Sequence, residues 1–159
     1  MRHSALLTTA TALTAHSWGQ VVGAHSDIRV AVVGLNGRGK NHLSSLGKIK
    51  GVRIVAVCDA DTAVLERTAT NLAKEGVTVK KFTDVRQLLA SPDLDAITIA
   101  TPNHWHSLMG IWALQAGKDI YIEKPVSHNV WEGRQLVAAA QSAVRALIAK
   151  GQYPAPLWG

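Results

Sequence analysis

The chain has 159 residues, of which 47% are apolar and 18% charged, so it can form one compact domain but not two ordinary ones. Its 17 Lys and Arg outnumber its 11 Asp and Glu, which gives a formal net charge of +6. The basic residues are scattered and form no stripe with aromatic side chains, so we expect no nucleic-acid partner. The single Cys58 excludes an intramolecular disulfide and a cysteine-cluster zinc site, and the lack of an apolar run of about 18 residues predicts no membrane-spanning helix.

Residues 1–26 differ in composition from the rest of the chain. They contain Arg2 near the start, no Asp or Glu, a weak apolar run over 5–13, and small residues up to Ala24. This order is typical of a secretory signal and predicts export to the bacterial periplasm. The alternative is a leader without a targeting role on a cytoplasmic protein, and the Arg-Arg pair of a twin-arginine signal is missing because Arg2 is followed by His3.

From residue 27, β-branched runs alternate with helical stretches. The predicted strands are Ile28–Val33, Val52–Val57, Val77–Phe82, Asp95–Ala100 and Asp119–Ile122. The predicted helices are Gly39–Ile49, Thr62–Lys74, Val85–Ala90, His104–Ala116 and Val130–Lys150, with Asp61 or Thr62 capping the second and Asp84 the third. This order predicts an α/β fold with a doubly wound parallel sheet, a Rossmann fold, over 27–141. Residues 142–159 hold two prolines and do not resemble a core strand, so we interpret them as a divergent tail.

Three glycines lie in the turn after the first predicted strand. Gly34 and Gly39 take the first and third places of a dinucleotide-binding turn, where the chain turns sharply and helix packs closely on strand. Asn36 holds the second place, which is usually Gly, and we expect it to tolerate a left-handed backbone, with Gly37 adding room. The helix start offers N–H groups to phosphate, and Arg38 adds a charge. The alternative is a structural turn without a ligand.

Asp59 ends the second predicted strand. A carboxylate there can accept hydrogen bonds from both ribose hydroxyls of an adenosine and would repel the 2′-phosphate of NADP, which favours NAD. The alternative is a helix cap or a solvated turn, since Asp61 is close by.

Ligands of parallel sheets bind at the carboxyl ends of the strands, so the segments after the fourth and fifth strands are candidates by position. They read Thr101-Pro102-Asn103-His104-Trp105-His106 and Glu123-Lys124-Pro125-Val126-Ser127. Alone, Lys124 would be interpreted as a surface lysine, but its neighbours and its place at a strand end favour a site. His104 and His106 lack a nearby Cys, Asp or Glu to complete a metal site, so we expect no metal. We interpret Trp105 and Trp112 as packing residues.

These segments together resemble the glucose-fructose oxidoreductase, inositol dehydrogenase and rhizopine-catabolism (Gfo/Idh/MocA) family. The resemblance is carried, in order, by the Gly34–Gly39 turn, Cys58-Asp59, the Thr101–His106 loop, Ala116-Gly117-Lys118 and Glu123-Lys124-Pro125, within residues 27–141. It implies NAD or NADP as cofactor, the active-site lysine role for Lys124, and a proline at 125 that is often cis. The implied cofactor contacts are Gly34, Asn36, Gly37, Arg38 and Gly39 at the pyrophosphate, Asp59 at the adenosine ribose, Thr101, Pro102, Asn103 and His106 near the nicotinamide, and Glu123 at its ribose.

The activity that the resemblance implies is hydride transfer between the nicotinamide and an alcohol of a sugar or cyclitol. A lysine beside the positive oxidised cofactor has its own charge disfavoured, so Lys124 can assist the proton transfer. The family's second α/β domain, which carries the substrate pocket, is not seen in this sequence, so the fold is expected to be truncated before it. The alternatives are therefore an oxidoreductase domain and a nucleotide-binding module without turnover. Apolar surface left uncovered predicts self-association.

Overall fold

The computed structural model describes residues 27–152. The predicted leader and residues 153–159 of the predicted tail lie outside the described residues.

Within the described part of the chain, five parallel strands form one sheet. They are β1 (Ile28–Val33), β2 (Val52–Cys58), β3 (Lys80–Phe82), β4 (Ala96–Ile99) and β5 (Asp119–Ile122). Their order, β3-β2-β1-β4-β5, reverses direction between β1 and β4, and this confirms the doubly wound sheet. The third strand is shorter than predicted because pairing with β2 begins only at Lys80, opposite Ala56.

Helices connect the strands as predicted. They are α1 (Arg38–Leu46), α2 (Thr62–Lys74), α3 (Val85–Leu89), α4 (His106–Gln115) and α5 (Val130–Ala149). The carboxylates of Asp61 and Asp84 accept backbone N–H groups at the starts of α2 and α3, which confirms both caps. The helix predicted from His104 begins at His106, because residues 103–105 form a tighter 3₁₀ turn.

Among residues 27–152, the core consists of one apolar cluster on each face of the sheet. Successive residues of β1 belong to opposite clusters. Ala31 and Val33 pack with residues of α3 and α4 on one face, and Val32 packs with residues of α2 on the other. Leu43 of α1 is partly buried against the second cluster. Burying an aliphatic side chain of this size contributes about 1.5–3 kcal/mol, so covering both faces with helices stabilises the sheet strongly.

The last two helices bury few large side chains. In α5 Leu136 is buried, while Val137 is 56% and Val144 is 40% exposed. In α4, Leu108 is 40% exposed, and the buried positions are His106, Ser107, Gly110 and Ala113. The two helices pack closely at Gly110, where a Cβ would lie 2.7 Å from Ile122 and 3.0 Å from Leu136. None of the helices within residues 27–152 is long and apolar enough to cross a bilayer.

The strand register brings the predicted site segments to one edge. Val33 pairs with both Cys58 and Ile99, and Ile99 pairs with Ile122. The residues that follow these four strand ends therefore line up along the carboxyl edge of the sheet.

Candidate functional site

Two glycines of the turn after β1 are required by close packing. Gly34 has a φ of +83°, and a Cβ there would lie 2.8 Å from the backbone of Ala100 and Thr101. A Cβ on Gly39 would lie 1.8 Å from the Gly34 carbonyl oxygen. Any side chain would push α1 away from β1 or the turn away from β4, so the two glycines bring the start of α1 close to the edge of the sheet.

The start of α1 is open to a ligand. Its N-cap is Gly37, with a φ of +64°, and no side chain of residues 27–152 caps its first N–H groups. Within residues 27–152 no residue other than glycine has a positive φ, so Asn36 does not use the left-handed backbone that it could tolerate. The positive φ falls at Gly37, one position later.

Asp59 joins the end of β2 to the glycine turn. Its Oδ2 accepts a hydrogen bond from the backbone N of Leu35 at 2.8 Å, and its Oδ1 accepts one from the backbone N of Asp61 at 3.0 Å. The helix cap is Asp61, so the alternative role of Asp59 as a cap does not hold. An ionised carboxylate has about four acceptor positions, so half-buried Asp59 can accept further hydrogen bonds from a ligand.

A cavity of about 610 Å³ opens beside Asp59. Gly34, Asn36 and Asp59 contribute to one side, and Pro102, Trp105 and Trp112 supply apolar and aromatic surface. Trp112 also packs against the core, as expected, but Trp105 is 41% exposed and lines the cavity, so its assignment to packing was wrong. Neighbouring Cys58 is buried, and burial raises the pKa of its thiol to about 12.

A second, smaller cavity of about 380 Å³ lies across the end of β4. It is lined by Arg38, Ala100, Thr101, His106, Glu123 and Lys124. Ala100 and Thr101 also line the larger cavity, so the two lie side by side at the point where the strand order reverses. Two adjoining cavities at this point suit a ligand with two linked halves, such as a dinucleotide.

Glu123 accepts two side-chain hydrogen bonds at the smaller cavity. Its Oε1 accepts a hydrogen bond from Nε of Arg38 at 2.6 Å and one from Nε2 of His42 at 2.8 Å. The pKa of Glu123 is lowered to about 2, with the hydrogen bond from His42 as the largest cause and that from Arg38 as the next. The carboxylate is therefore ionised at neutral pH. The same contact with Glu123 raises the pKa of Arg38.

Arg38 was expected at the pyrophosphate, and no motif in the sequence marked His42 as a site residue. The guanidinium of Arg38 donates to Glu123 across 85 positions of sequence. His42 lies one turn of α1 after Gly39, on the helix face that packs on the sheet. This spacing is the feature of the sequence that could have indicated a side chain near the site.

His106 links the two loops that border the smaller cavity. Its ring is 2% exposed, with Nε2 2.7 Å from the Thr101 carbonyl and Nδ1 2.8 Å from the Pro125 carbonyl. The Lys124–Pro125 peptide bond is cis, as the family resemblance implied. His106 therefore orders the loops as well as lining the cavity.

The other predicted contacts differ in position. Thr101 lines both cavities, and Pro102 lines the larger one. Asn103 begins the 3₁₀ turn and lines neither of these two cavities. Lys124 lines the smaller cavity, is exposed, and makes no ion pair with residues 27–152. Its ammonium group is thus available to a ligand.

Comparison with known proteins gives a single family for this domain. The model of the oxidoreductase family with an NAD-binding Rossmann fold (GFO_IDH_MocA) matches residues 28–150. A glycosyl hydrolase family 109 protein from Shewanella sp. (strain W3-18-1) is 34% identical over 119 residues, which are 72% of this chain and 26% of that protein. The chain thus spans about a quarter of the length of the curated relatives it matches.

Solved structures give the same result. The myo-inositol 2-dehydrogenase from Lactobacillus plantarum is 31% identical with a TM-score of 0.68, over 74% of this chain and 34% of that one. The WlbA dehydrogenase from Bordetella pertussis, in complex with NADH and UDP-GlcNAcA, is 27% identical with a TM-score of 0.66, over 74% and 35% of the two chains.

Proposed function

The chain belongs to the Gfo/Idh/MocA oxidoreductase family and carries its NAD-binding Rossmann domain, and on that premise we propose that it binds NAD for hydride transfer with a sugar or cyclitol alcohol. The pyrophosphate lies at the glycine turn, with Gly34, Gly37 and Gly39 letting the backbone approach it. Asp59 holds the adenosine ribose, Glu123 holds the nicotinamide ribose, and Lys124 stands at the reacting end.

The observation that carries the proposal is the packing at the start of α1. The contacts of Gly34 and Gly39 leave no room for a Cβ. The uncapped start of α1 follows Gly34 and Asn36, which line the larger cavity, and its first residue, Arg38, lines the smaller one. Unpaired N–H groups and the positive end of a helix bind phosphate well. The two cavities then take the nucleoside halves on either side.

The preference for NAD over NADP rests on Asp59. Its carboxylate lines the larger cavity and can accept hydrogen bonds from ribose hydroxyls. A 2′-phosphate at the same place would lie against this negative charge, which raises the free energy of the NADP complex.

The bound cofactor supplies a hydride acceptor at C4 of its nicotinamide. The chain's own residues supply the surroundings of the reaction. Ionised Glu123 accepts hydrogen bonds from the ribose, and the exposed amine of Lys124 takes the hydroxyl proton of the substrate or donates to the new carbonyl oxygen. Two structural neighbours are named for inositols, and a third holds a nucleotide sugar, so we propose a sugar or cyclitol as substrate.

The second candidate function is nucleotide binding without turnover. It is favoured by the exposure of Lys124, since water that reaches a reacting centre weakens the electrostatic contacts there. Exposed apolar side chains on α5, including Trp131 and Val137, favour self-association of the chain in this form.

Titration of the purified chain with NADH and NADPH, followed by fluorescence, tests the binding proposal. We expect both to bind and NADH to bind more tightly. A folded chain that binds neither would refute it. Screening sugars and inositols for NAD reduction separates the two candidates, because sustained turnover by this chain excludes the inactive module.

A further inference from the structure

The carboxylate of Glu123 has two unlike oxygens. Oε1 accepts both hydrogen bonds, from Arg38 and from His42, whereas Oε2 accepts none from residues 27–152. The part of the chain that the structure describes has no fully buried side-chain oxygen without a partner, so Oε2 is reachable. Because Glu123 lines the smaller cavity, that cavity gives access to Oε2.

His42 is the fixed partner of this carboxylate. The residue is 8% exposed, and its Nδ1 lies 3.1 Å from the hydroxyl of Thr98 on β4. The ring of Tyr121 on β5 meets it edge-on at 5.5 Å between centroids. Thr98 and Tyr121 are paired across the sheet, so the imidazole is held over the β4–β5 pair.

Arg38 by itself would hold Glu123 less firmly. Its side chain is 60% exposed, and ion pairs of exposed side chains contribute little because water and rotamer entropy compete with them. A buried imidazole with a hydrogen bond at each nitrogen has much less freedom. The carboxylate accepts only, so Nε2 of His42 carries the proton in this contact.

We infer that His42 is a positioning residue, which holds Oε1 of Glu123 so that Oε2 faces the nicotinamide ribose of the cofactor. This inference rests on the proposed function, because Glu123 acts on the ribose only if a dinucleotide binds. His42 itself touches no ligand in this arrangement. It contributes to affinity through Glu123, and only for ligands that extend past the pyrophosphate into the smaller cavity.

Two variants of His42 separate this role from a structural one. Gln places its amide nitrogen at the position of Nε2, and Asn places its amide at the position of Nδ1. His42→Gln therefore keeps a donor to Glu123, whereas His42→Asn keeps only the contact with Thr98. NADH and ADP are the two probes, since ADP lacks the nicotinamide ribose, and exposed His104→Asn is the matched control.

We expect His42→Asn to weaken NADH binding roughly tenfold, the usual loss for a hydrogen bond to a charged group, while ADP affinity is unchanged. His42→Gln restores most of the NADH affinity, and His104→Asn alters neither. Thr98→Val, which frees the ring at Nδ1, serves as a second variant if His42→Asn does not fold. It is expected to weaken NADH binding about threefold and to spare ADP.

The outcomes are distinct. Equal losses for NADH and ADP in His42→Asn, or equal losses in the Asn and Gln variants, would mean a structural role and overturn the inference. Unchanged NADH affinity in His42→Asn and Thr98→Val would overturn it as well. Wild-type protein that binds neither probe would refute the proposed function, and the inference with it.

Discussion

Replacement of Gly39 by Ala tests the close approach of α1 to the sheet. The new Cβ would lie 1.8 Å from the Gly34 carbonyl oxygen, whereas a carbon–oxygen contact needs about 3.3 Å. The helix start or the turn must therefore move by about 1.5 Å, and because the obstacle is backbone, no rotamer change relieves it. We expect a loss of about 1–3 kcal/mol in the free energy of unfolding.

The same shift affects ligand binding. Hydrogen bonds weaken steeply when a donor moves by this distance, so the α1 N–H groups lose contact with the pyrophosphate and NADH affinity falls at least about tenfold. Urea unfolding measures the first effect, and fluorescence titration with NADH measures the second. Gly47→Ala is the matched control, since Gly47 has a helical φ of −62° and its Cβ would lie 3.4 Å from the Leu43 carbonyl. Wild-type stability and NADH affinity in Gly39→Ala would refute this reasoning.

Three further predictions concern other parts of the domain. Asp59→Asn removes the negative charge at the larger cavity but keeps an oxygen that can accept the Leu35 N–H. We therefore expect the ratio of NADPH affinity to NADH affinity, measured by fluorescence titration, to rise about tenfold. An unchanged ratio would show that Asp59 does not determine the preference for NAD. Asp95 accepts hydrogen bonds from the side chain and backbone N of Arg29, and the side-chain hydrogen bond, the largest cause, lowers the pKa of Asp95 from 3.8 to about 2. Because its pKa is lower in the folded chain, ionised Asp95 stabilises the fold above pH 3.8, and this contribution is lost as the pH falls towards 2. Measured by urea unfolding, the stability difference between wild type and Asp95→Asn should therefore be constant above about pH 5 and shrink below about pH 4. A difference that does not change with pH would contradict this. The Cys58 thiol, buried and with its pKa raised by burial to about 12, should react with a thiol reagent at pH 8 only after unfolding in urea, and fast reaction of the folded chain would show that β2 opens at its end.

Local features of the sequence were sufficient for the order of elements and for the turn. The alternation of β-branched runs with helical spacing reports which faces of each element are apolar, and Asp61 and Asp84 act on N–H groups two or three positions away. The need for Gly39 also arises locally, since its Cβ would meet the Gly34 carbonyl oxygen five positions earlier, so the glycine spacing was enough to predict a close approach of α1 to the turn. The contact that excludes a side chain at Gly34 is with Ala100 and Thr101, which are distant in the sequence.

The contacts that build the smaller cavity depended on the tertiary structure. His42 and Glu123 are 81 positions apart and meet only because the strand order reverses, which places β4 beside β1 and β5 beside β4, within reach of His42 on α1. Helical spacing shows that a side chain points towards the sheet, but not which strand lies beneath it. The exposure of Val137 and Trp105 could not be predicted from the sequence either. The spacing of apolar residues shows which face of a helix is suited to burial, but the packing of neighbouring elements decides whether that face is covered. The sequence by itself therefore determined the strands, the helices and the glycine turn, whereas the tertiary structure decided which side chains hold Glu123 and which line the cavities, because those contacts join segments far apart in the chain.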